Sequence, residues 1–100
     1  MSLETVKAQI KEKMSYGAAL NATVKFDFKD DGVIYVDATQ APVKLSEEDK
    51  EAATTLICTL DTFKGILAGT QDPNIAFMMG KLKVKGSMGL ALKLNSILED

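Results

Sequence analysis

Histidine is absent from the chain, which removes the commonest general base and the commonest metal ligand. Cysteine occurs once, at Cys58, so an internal disulfide is excluded and a reducing compartment suits the chain. No arginine-rich cluster exists. Twelve basic against fourteen acidic residues leave a net charge of −2, so nucleic acid has no electrostatic footprint to meet. No stretch approaches the roughly eighteen apolar residues that a membrane span requires. Met1-Ser2-Leu3-Glu4-Thr5 lacks the basic region and apolar run of a secretory signal. Internal repeats, low-complexity runs and linkers are missing as well. The expectation is one soluble, cytoplasmic domain over residues 1–100, whose hydrophobic fraction of 46% suffices for one core.

The chain does carry periodicity, and the period changes along it. Leu3, Val6, Ile10 and Met14 recur at helical spacing, with Ser2 as N-cap and Gly17 as stop. Ala22, Val24, Phe26 and Phe28 then alternate with polar residues, and Asp30-Asp31-Gly32 turns the chain into a second strand from Val33 to Thr39, a hairpin pattern. Pro42 restricts the next segment to an edge or irregular piece. Ser46-Glu47-Glu48-Asp49 reads as a capping box opening a short helical turn. A third strand is expected from about Ala53 to Leu60, then a helix capped by Asp61 and closed by Gly69. Asp72-Pro73 caps a short helix that Gly80 ends, Lys81 to Lys85 alternate as a strand, and Gly86-Ser87 opens a last helix to about Leu98. This order predicts an α+β fold with a mainly antiparallel sheet and helices gathered on one face.

Candidate chemistry is thin. The grouped acids Asp30-Asp31, Glu47-Glu48-Asp49 and Glu99-Asp100 fall in turns, at a helix start or at the end of the sequence, where turn and cap chemistry accounts for them. Cys58 lies mid-strand without a readable positive neighbour, so packing explains it better than nucleophilicity. Gly80, Gly86 and Gly89 fit neither phosphate-loop spacing, although the start of the last helix can attract a headgroup carboxylate or phosphate. Lys81, Lys83 and Lys85 share one strand face, which reads either as a solvated face guarded against edge pairing or as an attraction to anionic lipid or coenzyme A phosphates.

One feature exceeds what a simple core needs. Leu90, Ala91, Leu94, Ile97 and Leu98, extended by Met88 and Leu92, cover an arc of roughly 220°, against the stripe of about 100° or more that one-sided packing uses. Ile75, Ala76, Phe77, Met78 and Met79 form a second dense apolar block upstream. Either the last helix is buried on two sides by protein, or an apolar ligand fills its second side.

The run from Asp72 to Leu94, with its core Gly80-Lys81-Leu82-Lys83, Gly86, Met88 and Leu90-Ala91, is similar to the C-terminal signature of sterol carrier protein type-two domains. Asp61-Thr62-Phe63 leading to Leu67-Ala68-Gly69 resembles the helix before it, and Ala52 to Leu56 its strand, with weaker similarity back through Val24 to Asp37. The resemblance implies a twisted sheet of about five strands, an internal hydrophobic tunnel, and binding of fatty acid, fatty acyl-CoA or a sterol-like molecule without catalysis or cofactor. Ligand-lining positions would be Val36, Phe63, Ile66, Ile75 and Met79. On the last helix they would be Met88, Leu90, Ala91, Leu94 and Ile97. Implied partners are a lipid or fatty acyl ligand and lipid-metabolising enzymes, with at most transient membrane contact, in a monomer or weak dimer. The alternative is a protein-protein interaction module that docks its apolar groove on such an enzyme. Met79 stands where many members have glutamine, and Leu98-Glu99-Asp100 departs from a receptor-read peroxisomal ending, leaving a cytoplasmic location expected.

Overall fold

The computed structural model describes residues 3–16, 20–40 and 43–99, so the expected roles of Ser2, Gly17 and Pro42 lie outside the described residues. The elements in chain order are α1 (Leu3–Tyr16), β1 (Thr23–Asp27), β2 (Val33–Asp37), β3 (Lys44–Ser46), β4 (Thr54–Cys58), α2 (Leu60–Ala68), α3 (Pro73–Met78), β5 (Leu82–Gly86) and α4 (Met88–Glu99). The five strands form one sheet in the order β3-β2-β1-β4-β5. All pairs are antiparallel except β1 with β4, which run parallel. This is an α+β fold with a mostly antiparallel sheet.

Alternation sorts the strand residues onto two faces. Val24 and Phe26 of β1, Ile34 and Val36 of β2, and Leu56 and Cys58 of β4 are buried on the inner face. The helices cover that face: Val6, Ile10 and Met14 of α1, Leu60, Phe63 and Ile66 of α2, and Ala91 and Leu94 of α4 join the same core. At its centre the rings of Phe26 and Phe28 each lie 5.1 Å from that of Phe63, tilted by 56° and 52°, an arrangement aromatic rings favour. The hairpin turn is tighter than alternation suggests, because β1 stops at Asp27 and Lys29–Asp31 wind into a 3-10 turn. The Phe28 amide donates to the Gly32 carbonyl at 2.9 Å to close it.

Two expected caps are corrected. Ser46 opens no helix: it pairs opposite Tyr35 as the last residue of β3, and residues 47–52 run across the outer sheet face without helix. The sequence after Ser46 offers no apolar stripe to bury, and its charges find partners on the sheet and on α1 instead. Asp49 meets Lys25 at 2.8 Å, Glu47 meets Lys7 of α1 at 3.1 Å, and the Lys50 ammonium sits 5.4 Å from the Tyr35 ring centroid. The cap of α2 is Thr59, not Asp61; Thr59 has extended backbone and its hydroxyl accepts from the Thr62 amide at 3.2 Å. Asp61 lies inside the first turn, where the helix dipole favours an acid.

Candidate functional site

β5 is an edge strand, hydrogen-bonded to β4 on one side only. Its alternation turns Leu82 and Val84 inward, opposite Cys58 and Leu56, and turns Lys83 and Lys85 to the outer face. α3 precedes it. Asp72 caps that helix by accepting from the Asn74 and Ile75 amides at 2.8 and 3.4 Å, with Pro73 at the first position, as its sequence predicts. One turn separates Asn74 from Phe77, so both face the same way.

α4 follows β5 through Gly86, whose φ of 88° favours glycine and whose place admits nothing larger. A Cβ there would stand 2.5 Å from the Ala53 carbonyl oxygen. The Ser87 amide then donates to that same carbonyl at 3.0 Å, and the Ser87 hydroxyl accepts from the Leu90 amide at 3.3 Å. So fixed, α4 turns Ala91 and Leu94 into the core, while Met88, Leu92 and Asn95 form a stripe on its flank.

Between α3, β5 and α4 lies an apolar groove of about 210 Å³, lined by Asn74, Phe77, Leu82, Val84, Met88, Ala91, Leu92 and Asn95. No ionisable side chain belongs to that lining. The large hydrophobic residues that are exposed, among the described residues, are Ile75, Phe77, Met78, Met79, Met88 and Leu92. All of them belong to α3, the turn after it and α4. Two further surface hollows have charged walls, one with Lys25, Glu51 and Lys85, the other with Glu4, Lys7 and Lys11.

The structure brings two of the sequence-predicted positions, Met88 and Ala91, together in the groove. Leu90 and Ile97 pack half-buried against the core along the same helix. Val36, Phe63, Ile66 and Leu94 lie within the core, at most 3% exposed. Ile75 and Met79 are exposed beside the groove, and the side chain of Leu98 lies outside the described residues. Asn74, Phe77, Leu82, Val84, Leu92 and Asn95 were not among the expected positions. The signal that finds them is spacing: Asn74 with Phe77, and Met88 with Leu92 and Asn95, are helical neighbours on one flank.

Cys58 lies across the ladder from Leu82, fully buried. Burial pushes its thiol up to about 12, with Asp27 adding to the effect and Lys29 opposing it. The carboxyl of Asp37 is held below its ordinary value by the Thr39 hydroxyl first and the Thr39 amide second, which is turn chemistry at the end of β2.

Comparison with known proteins gives a consistent result. The model of the SCP-2 sterol transfer family matches residues 3–99. Human "Sterol carrier protein 2" is 40% identical over 53 residues, 53% of this chain and 10% of the human protein. Bovine "Hydroxysteroid dehydrogenase-like protein 2" is 31% identical over 84 residues, 80% of this chain and 20% of that protein. The chain thus spans only a small part of these relatives. Among solved structures, the apo form of Sterol Carrier Protein 2 from Yarrowia lipolytica superposes with a TM-score of 0.71 at 26% identity, covering 91% of this chain and 74% of that one. Palmitated SCP2L2 from Aedes aegypti shares the fold, with a TM-score of 0.74 at 23% identity over 100% of this chain and 96% of that one. A family match across nearly the whole chain, on a fold that these structures share, leads to one conclusion: the chain belongs to the SCP-2 sterol transfer family.

Proposed function

We propose that this chain binds and carries one fatty acyl or sterol-like lipid in the groove between α3, β5 and α4, and performs no chemistry on it. The observation that carries this reading is an apolar groove, free of ionisable lining, that opens among the exposed hydrophobic residues of α3 and α4. At about 0.8 kcal/mol per buried methylene, ten methylenes supply about 8 kcal/mol before binding costs, enough for useful affinity without special polar contacts. Asn74 and Asn95 offer amide donors for a carboxyl or hydroxyl headgroup. At about 210 Å³ the groove is smaller than the roughly 300–1,000 Å³ of a usual ligand pocket, so a long chain must displace adaptable side chains such as Met88. Leu90, Leu94 and Ile97 then lie behind the ligand, Ile75 and Met79 flank it, and Val36, Phe63 and Ile66 are reached only by a ligand that parts the core.

A palmitated relative of the same fold supports an acyl ligand. The relatives that extend well beyond this domain, one of them named as dehydrogenase-like, support a carrier that hands lipid to a lipid-metabolising enzyme. The high thiol pKa of Cys58 supports the non-catalytic reading, since a thiol that titrates at about 12 is no nucleophile at neutral pH. We assign the activity to the cytoplasm.

Leu92→Asp tests the assignment, because Leu92 is 56% exposed yet lines the groove. Its carboxylate would confront the acyl chain while costing little stability. Titration with a fluorescent fatty acid should weaken by about tenfold or more, with the urea midpoint nearly unmoved. Wild-type affinity would put the lipid elsewhere. Acyl-CoA and acyl esters incubated with the chain should stay intact, and turnover abolished by Cys58→Ala would overturn the non-catalytic reading.

A further inference from the structure

The outer face of the sheet, away from the groove, carries a row of side chains that a lipid carrier does not use. Lys25 of β1 stands in register with Thr55 of β4, and Thr55 in turn with Lys85 of β5. At roughly 4.8 Å between neighbouring strands, Thr55 sits midway between two lysines whose backbones are roughly 10 Å apart. All three line one hollow of about 290 Å³, together with Glu51, Ala52 and Gly86. The segment that forms its rim is fixed, because the Ala53 amide donates to both the carbonyl and the hydroxyl of Thr23, at 3.1 and 3.0 Å.

Thr55 sets this hollow apart from an ordinary charged surface. It is only 9% exposed, yet among the described residues its hydroxyl has no hydrogen-bond partner. Its neighbour Thr54 differs, since that hydroxyl donates to the Lys85 carbonyl at 3.3 Å. A side-chain hydroxyl buried this far ordinarily has a partner, so the Thr55 hydroxyl, opening into the hollow, is a donor in reserve. The lysines beside it keep donors in reserve too. Asp49 holds the Lys25 ammonium at 2.8 Å and uses one of its three N–H groups. Lys85 is exposed and forms no ion pair among the described residues.

We propose that this hollow binds a tetrahedral oxyanion, either inorganic phosphate or the phosphate group of a small phosphomonoester. Lys25 and Lys85 flank the anion, and the Thr55 hydroxyl donates to it from the sheet. Donors that converge from three directions suit the three acceptor oxygens of a phosphate group better than the two of a flat carboxylate. Two ammonium groups also match its double charge. Glu51 is the one acid in the lining and opposes the anion. The site occupies the sheet face opposite the groove, so it stands whether or not the groove holds lipid.

The test is a titration of the isotope-labelled chain with sodium phosphate, glycerol phosphate and acetate at constant ionic strength, followed by amide NMR shifts. The amides of Lys25, Thr55, Lys85 and Gly86 should move together and saturate, with a Kd of about 1 mM or tighter for phosphate. Acetate should bind at least about tenfold more weakly, and the tighter of the two phosphates identifies the source as free ion or ester. Thr55→Val keeps the shape and removes a hydroxyl without a protein partner. It should leave the urea midpoint in place and weaken phosphate binding about fivefold or more. Lys85→Gln should weaken it about tenfold or more, whereas Glu51→Gln should strengthen it by removing the opposing charge. Lys93→Gln, on α4, should titrate like the wild type. Absence of a saturable shift at these amides, acetate binding as tightly as phosphate, or wild-type titration by both Thr55→Val and Lys85→Gln overturns the site. Weaker binding by Glu51→Gln would mean that the carboxylate holds a cation, and overturns the oxyanion assignment.

Discussion

Cys58 ends β4 with its side chain wholly inside the protein, and its thiol is pushed from an ordinary 9.0 up to about 12, chiefly by burial. A raised acid pKa favours the protonated group in the folded state. Below about pH 9 the thiol is neutral in both states, so its contribution to stability is fully present. Between about pH 9 and about 12 the unfolded chain releases the proton while the folded chain keeps it, so that contribution is lost at up to about 1.4 kcal/mol per pH unit. Cys58→Ala should lower stability at neutral pH but remove this alkaline slope. Urea unfolding of both proteins from about pH 8 to about pH 10.5 reads it, and parallel curves would mean that the thiol ionises in place at its ordinary value.

Among the elements, α2 shows how closely a helix start depends on geometry outside the helix. Thr59 and Asp61 are both cap residues by type, two positions apart, and the apolar pattern of Phe63, Ile66 and Leu67 suits either start. The extended backbone of Thr59, with φ −73° and ψ 154°, decides for the earlier one. Thr59→Ala should therefore cost about 1 kcal/mol, within roughly 0.5–2, whereas Asp61→Ala should cost only a few tenths. Comparing urea midpoints of the two variants checks the order, and a larger loss at Asp61 would return the cap to it.

The same dependence explains what could be read from sequence and what could not. Val6, Ile10 and Met14 repeat so regularly that α1 is visible without coordinates, as is the alternation of Val24 and Phe26. Ser46 carries the letters of a capping box but is held in a strand by its pairing with Tyr35, a contact eleven residues away that no local pattern contains. On α4 the wide apolar arc is legible, yet it resolves into two sides only in space. Ala91 and Leu94 meet the core, while Met88 and Leu92 flank the groove. Which residues face them, Phe77 from α3 and Val84 from β5, depends on how α3 folds back on the sheet edge.

Across the whole molecule, the least predictable feature is the parallel pairing of β1 with β4, which puts β1 at the sheet's centre between β2 and β4 and leaves β3 and β5 as edges. Alternation says which face a residue takes and nothing about which strand lies beside it. A central strand is tied on both sides, and its amides open only with much of the fold; an edge strand is tied on one. Hydrogen exchange should accordingly find the strand-bonded amides of β1, β2 and β4 the slowest, with β5 exchanging at least about tenfold faster. Equal protection across the sheet would mean that the groove wall opens only when everything does.

The lysines that β5 turns outward, Lys83 and Lys85, have a consequence before any contact is made. β5 is a free edge, and two such edges approaching one another bring like charges within the roughly 8–10 Å over which salt at physiological strength screens. An edge-to-edge encounter of two copies is therefore turned away before their backbones can pair. The strand that walls the groove thus keeps its outer edge open without becoming a seam for aggregation.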